Sequence, residues 1–171
     1  MNLYSFYRIS KPSKETVPSG EVDATYRSLR SRTFWGVTVA YSLYYVCRMS
    51  LSVVKQPLID EGFLTAGQLG LIGSALFFIY SIGKFINGFI ADYCNIRRFM
   101  ATGLFVSAAV NLLMGVFGLM NGWAGMTTTV IFISFAFLWG INGWAQSMGS
   151  PPGVISLSRW FPQSKRGSYY S

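Results

Sequence analysis

Long apolar runs dominate this chain, and each is interrupted by at most a single charge. Thr33 to Val54 is the first run, and Arg48 interrupts it. Pro57, Asp60, Glu61 and Gly62 then predict a turn. Leu64 to Ala91 is the second run, interrupted by Lys84. Asp92 to Arg98 is a short polar loop. From Phe99 to Ser158 there is no Asp, Glu, Lys or Arg. As one helix that stretch would measure about 90 Å, three times a bilayer core, so it must fold back. Asn121, Gly122 and Gly125 mark the expected turn. The pattern predicts an all-α polytopic membrane protein with four spans, at about 33–55, 65–91, 99–120 and 126–157. Residues 1–32 form a polar tail, and residues 159–171 lead away from the last span. Pro151 and Pro152 predict a kink or a local loss of helical bonds in span four.

Composition agrees. The chain has 171 residues, of which 51% are hydrophobic and only 12% charged, about half the charged share of a soluble domain. The N-terminus lacks the short apolar core and small-residue site of a cleavable signal. The net charge of +8 does not predict nucleic-acid binding, because the basic residues lie in short clusters between apolar runs. Arg8, Lys11, Lys14, Arg27, Arg30, Arg32, Arg97, Arg98, Arg159, Lys165 and Arg166 fall on one side of the membrane, and Lys55 alone on the other. That bias places the N-terminus on the cytoplasmic side. Trp35, Trp160 and Phe161 on the inner side, and Trp123 on the outer, are expected interfacial anchors. Residues 23–30 read either as a short basic helix capped by Asp23 and lying on the inner surface, or as a solvated lead-in.

The chemistry lies in the two interrupting charges. Arg48 stands about 14 Å from the outer end of its span and Lys84 about 12 Å from the inner end of its own, so both sit near mid-depth. A charge there is costly, and such residues usually face a cavity or a partner. No span contains a carboxylate to neutralise them. An anion between them would relieve their repulsion, with arginine offering a planar fork and lysine a point charge. Tyr41, Tyr44, Tyr45, Arg48 and Ser52 share one face of span one. Tyr80, Lys84 and Asn87 share one face of span two, and Asn142 and Gln146 one face of span four. The stripes are suited to a wet pathway, although aromatic stripes serve packing as often as lining. An enzyme is not expected: Asp92 lacks a nucleophile or base partner, histidine is absent, and Cys47 and Cys94 have no metal or redox spacing. No cofactor or metal is expected. A channel is not expected either, for want of a filter loop or charge ring.

Several segments resemble one family. Gly88-Phe89-Ile90-Ala91-Asp92, followed by Arg97-Arg98, resembles the loop motif between helices two and three of the major facilitator superfamily. Glu21 to Arg30, Tyr44 to Arg48, Gly83-Lys84-Phe85, Gly143 to Pro152 and Lys165-Arg166-Gly167 resemble segments of its organophosphate:phosphate antiporters. The resemblance implies the first four helices of the N-terminal six-helix half of a twelve-helix fold, with helices five to twelve beyond this sequence. It implies a place in the inner (plasma) membrane, and exchange of an organic phosphate ester for inorganic phosphate by alternating access. Arg48 would bind the phosphate, with Lys84 in the same pore and Tyr41, Tyr45 and Tyr80 lining it; the polar stripe of span four adds Asn142 and Gln146 as candidate lining residues by spacing alone. Gly88, Asp92, Arg97, Arg98 and Arg159 are candidates for a cytoplasmic gating motif: Asp92 reads either as latched to one of the three arginines or as part of a solvated turn obeying the charge rule. The Gly149-Ser150-Pro151 run is closer to the family's hexose-phosphate sensor branch, so a sugar-phosphate sensor signalling to a partner protein is the alternative.

Overall fold

The computed structural model describes residues 3–11, 14 and 16–170. It is built from helices: α1 (Leu3–Tyr7), α2 (Val22–Asp60), α3 (Ala66–Tyr93), α4 (Ile96–Ala124), α5 (Thr128–Ser147), α6 (Ser150–Trp160) and α7 (Gln163–Tyr170). Four membrane-length spans result: α2, α3, α4, and α5 with α6 taken together.

The helix ends follow from local chemistry. α2 runs unbroken through Pro57 to Asp60 and ends beyond the expected turn. Gly62, at φ 72°, closes it. The Gly62 N–H bonds the Ile59 carbonyl at 3.0 Å and the Phe63 N–H bonds the Leu58 carbonyl at 3.1 Å, the paired bonds of a left-handed glycine cap. At the start of α3, Thr65 and Gln68 each bond the other's backbone N–H, so two otherwise orphaned donors are met. α4 continues through Asn121 and Gly122, and only Gly125, at φ 58°, makes the turn.

Two expectations at the helix starts are corrected. Residues 23–30 are not a separate surface helix but the first turns of α2. Asp23 lies inside the first turn, and Glu21 occupies the cap position without a side-chain bond. Nothing breaks the backbone between residues 22 and 33, since no proline or glycine stands there.

Span four is divided. The prolines at 151 and 152 have no N–H for the carbonyls of Ser147 and Met148 four residues back. The chain tightens into three-residue bonds instead, Met148 to Ala145 at 3.0 Å and Gly149 to Gln146 at 3.2 Å, and α6 begins at Ser150.

α5 is the central column. Its contact with α3 is the most extensive in the bundle, and α4 packs on its other side. A Cβ on Gly143 would stand 2.5 Å from the Leu76 carbonyl oxygen and 3.1 Å from its Cα, so the two backbones touch. Small residues permit this approach in a bilayer, where lipid is as apolar as the core itself. Leu69, Ile72, Leu76, Val110, Met114, Ile131, Phe135 and Trp139 fill the half of the bundle distant from the N-terminal tail. A smaller cluster of Ala91, Phe99 and Met148 closes the tail end, with Tyr7, Cys94 and Ile155 packed on it.

That end also receives α1. The Tyr7 hydroxyl donates to Thr102 Oγ1 at 2.9 Å, and the Asn95 N–H donates to the Tyr7 carbonyl at 2.7 Å. Trp35 is exposed and Trp160 stacks on Tyr26, whereas Phe161, expected as an interfacial anchor, is buried. The side chains of Trp123 and Lys165 lie outside the described residues.

Gly143→Val should cost about 1–3 kcal/mol through overpacking, seen as a lower thermal midpoint in detergent. Gly36→Ala, with open space around its Cβ, should leave the midpoint equal or slightly higher, since alanine is the better helix former. Equal midpoints for the two would contradict the backbone contact. Burial pushes the Cys94 thiol up, so less of it is thiolate near neutrality. Maleimide labelling of Cys94 should be slow at neutral pH, accelerate as pH rises, and accelerate again when residues 1–10 are deleted and Tyr7 no longer covers it.

Candidate functional site

The polar residues inside the spans separate into two groups. The first is a buried network joining α2, α4 and α5. Ser107 donates to Asn142 Oδ1 at 2.5 Å, and Gln146 Nε2 donates to Ser107 Oγ at 2.8 Å and to the Tyr44 carbonyl at 3.0 Å. Asn111 Nδ2 donates to the carbonyls of Cys47 at 3.1 Å and Ser107 at 2.8 Å, while its oxygen accepts from Ser50. Asn142 and Gln146 are fully buried here. The structure therefore places these two among the bonds that join the helices. Within it, Asn142 Nδ2 and Gln146 Oε1 lack a partner.

Tyr44 and Asn87 also leave the stripes the sequence assigned them. Tyr44 is 1% exposed and its hydroxyl donates to the Met100 carbonyl at 2.7 Å. Its ring fills the space beside Gly149, where a Cβ would come within 2.9 Å of it. Asn87 is buried and donates to Ser147 Oγ at 2.6 Å. Both turn toward a neighbouring helix because each finds there a partner that the bilayer would not supply.

The second group is the charged one. α2 and α3 make no extensive contact with each other: α2 packs chiefly on α4 and α6, and α3 on α5 and α6. Tyr80 of α3 bridges the space between them. The Arg48 guanidinium lies 4.6 Å from the Tyr80 ring centre and 5.3 Å from that of Tyr45, and the Lys84 ammonium lies 5.8 Å from Tyr80. Tyr41 meets Tyr45 edge-on at 5.3 Å. Five of the expected site residues, Tyr41, Tyr45, Arg48, Tyr80 and Lys84, are thus brought together. Ring faces attract cations, by about 0.5–2 kcal/mol each, and leave the charge in place. Arg48 Nε is buried with no hydrogen-bond partner. Among the described residues no carboxylate pairs with either cation.

The expected gating residues lie at the tail end. Gly88 is half-buried, and Asp92, Arg97, Arg98 and Arg159 are exposed. Among the described residues Asp92 forms no ion pair with any of the three arginines. Arg98 donates to the Phe6 carbonyl at 2.6 Å and lies 5.1 Å from the Phe6 ring centre. Sequence reasoning missed this contact, and it missed Ser107 and Asn111. A signal existed for the latter pair: Gly103, Ser107 and Asn111 recur every four residues in an otherwise apolar helix, which sets them on one face.

Four membrane-length helices knitted by buried amides and hydroxyls define an α-helical polytopic membrane protein. The family model of the Major Facilitator Superfamily matches residues 37–171, and the chain belongs to that superfamily. It is 36% identical over 172 residues to a "Probable hexose phosphate transport protein" of Chlamydia pneumoniae, a match covering all of this chain and 35% of the relative. It is 38% identical over 160 residues to the "Glycerol-3-phosphate transporter" of Bacillus subtilis, covering 94% of this chain and 34% of the relative. It is 31% identical over 169 residues to "Membrane sensor protein UhpC" of Salmonella typhimurium, covering 99% of this chain and 36% of the relative. The chain spans about a third of the length of these relatives.

Replacing Gln146 by Leu should lower the thermal midpoint, at a cost of about 1–3 kcal/mol for the broken network. Arg48→Leu should leave the midpoint equal or higher, because it removes a half-buried charge that has no ion pair among the described residues. The reverse order would move Gln146 into the cleft and make Arg48 a structural residue.

Proposed function

We propose that this chain supplies the first four membrane helices of a secondary transporter that exchanges an organic phosphate ester for inorganic phosphate. One observation carries the reading. Arg48 Nε is buried and unpartnered in an apolar run, residues 33–54, that holds no carboxylate. A buried donor left unmet costs about 1–3 kcal/mol, more for a charged group, and a bound phosphate would meet it with two oxygens. Lys84 is the second cation, and Tyr41, Tyr45 and Tyr80 form the walls. The resemblance to relatives named for hexose phosphate and glycerol-3-phosphate supports an ester of that class. Gln146 acts on the cleft from behind, by fixing α2 through the Tyr44 carbonyl, and Asn142 supports it through Ser107, to which both are bonded.

The basic clusters put the tail, the α3–α4 loop and α7 on the cytoplasmic side of an inner membrane. The Asp92 latch belongs to another conformation of the cycle, one in which Arg98 has left Phe6. The later helices of the protein complete the site. A second reading, a membrane sensor for a sugar phosphate, is favoured by the likeness to UhpC and by the Gly149-Ser150-Pro151 run.

The test uses the complete protein in vesicles preloaded with labelled inorganic phosphate. External hexose phosphate or glycerol-3-phosphate should trigger efflux. Arg48→Ala should weaken ester binding by about tenfold or more, the worth of a charge-assisted hydrogen bond. Ester binding that needs Arg48 without any efflux would select the sensor. Ester binding unaffected by Arg48→Ala would reject the site.

A further inference from the structure

The tail end of the bundle holds a second set of cations that the Arg48 cleft does not use. The start of α2, the end of α6 and α7 enclose a cavity of about 230 Å³, lined by Arg27, Arg30, Ser31, Phe34, Phe161 and Tyr169. Its apolar wall is a packed aromatic group: Phe161 and Tyr169 lie 4.0 Å apart, and Phe34 meets Tyr169 edge-on at 5.4 Å. The Arg30 guanidinium rests 5.5 Å from the Tyr26 ring centre and 5.3 Å from that of Phe161. Tyr26 is itself fixed, stacked on Trp160 and donating its hydroxyl to the Trp160 carbonyl at 2.6 Å.

This arrangement positions the charge of Arg30 without neutralising it. Among the described residues neither Arg27 nor Arg30 has an ion pair or a hydrogen bond. Asp23, one turn before Arg27, forms no ion pair with it. Arg166 nearby is different. It donates to the carbonyls of Phe161 at 3.0 Å and Ser158 at 2.8 Å, and so caps the end of α6. The cavity thus offers two free guanidinium groups beside the serine and tyrosine of its wall. Paired guanidinium groups match phosphate oxygens in both charge and geometry.

We propose that this cavity binds a phosphate group, and that its occupant is the headgroup of an anionic phospholipid. The placement favours the lipid. The cavity lies where α2 enters its apolar stretch, next to Trp35, 61% exposed, and Val39, 55% exposed, which offer a flank for an acyl chain. Aromatic residues beside basic ones are the signature of the headgroup level, and anionic lipids attract basic segments there. The site is distinct from the cleft, because Arg30 precedes Arg48 by five helical turns, about 27 Å. It does not depend on the phosphate-ester reading.

The complete protein is reconstituted into phosphatidylcholine vesicles with and without phosphatidylglycerol. After mild solubilisation, the lipid it retains is counted by native mass spectrometry. The wild type should retain phosphatidylglycerol selectively. Arg30→Gln and Arg27→Gln should each weaken that retention about fivefold, as one cation near the membrane surface would. Arg32→Gln removes the same charge from the same helix outside the cavity wall and should change nothing. Equal losses at all three positions would mean diffuse attraction and overturn the site, as would retention insensitive to both Arg27 and Arg30. Inorganic phosphate is added as a competitor. Displacement of the lipid by it would keep the phosphate site but overturn the lipid assignment in favour of a soluble anion. Arg30-dependent retention that phosphate leaves untouched would establish the lipid.

Discussion

Hydrocarbon supplies no hydrogen bonds, and this single constraint sorts nearly every polar side chain in the protein. A short amide or hydroxyl inside a span must find its partner on a neighbouring helix. Ser107, Asn111, Asn142 and Gln146 do so, and in doing so they tie α4 and α5 to the backbone of α2. Tyr44 and Asn87 obey the same rule with Met100 and Ser147. Two amide atoms of this framework, Asn142 Nδ2 and Gln146 Oε1, stay without a partner. The two cations differ in carrying a full charge: among the described residues Arg48 and Lys84 meet tyrosine faces, which hold them in place and leave their charge uncompensated. The helix framework is thus built mostly by paired polar groups, and the site by unpaired charges.

Positioning follows from that framework. α2 and α3 are successive in the chain but lean on different neighbours, α2 chiefly on α4 and α6 and α3 chiefly on α5, and Tyr80 stands across the space between them. The glycine at 143 brings α3 and α5 into backbone contact, so Tyr80 and Lys84 sit on a helix held against a firm support. Gln146 does the same for α2, through the carbonyl of Tyr44, one turn before Arg48.

Much of this was legible in the sequence, and the limits have physical reasons. Apolar runs and their breaks gave four membrane-length helices, because length and hydropathy are read without knowing any contact. Pro151 and Pro152 announced the division of α5 from α6, because a missing N–H has the same consequence in any fold. Helical spacing grouped Tyr41 and Tyr45 with Arg48 correctly. It misjudged Tyr44 and Asn87, because a face defined by spacing is broad, and a side chain at its edge turns to whichever side has a partner. The separate lead-in helix was misread for a related reason: basic composition resembles a surface helix, while the unbroken backbone of α2 required only the absence of a breaker. The docking of α1 on Arg98 joins residues distant in sequence through a backbone carbonyl, and no side-chain pattern encodes that.

Tyr44 lies between Gly149, where any added carbon would press on its ring, and Gly103, where an added carbon would collide with its hydroxyl. Gly149 and Tyr44 therefore behave as one unit of inheritance. An alanine at 149 is tolerable only after the tyrosine has given way to something smaller, and once the ring is lost that glycine is free to drift. Gly103 is held independently, because an added carbon there would also meet Met148 Cβ at 2.7 Å and the Ala145 carbonyl oxygen at 2.8 Å. Lineages descending from this protein should show positions 44 and 149 changing together, while Gly103 stays fixed.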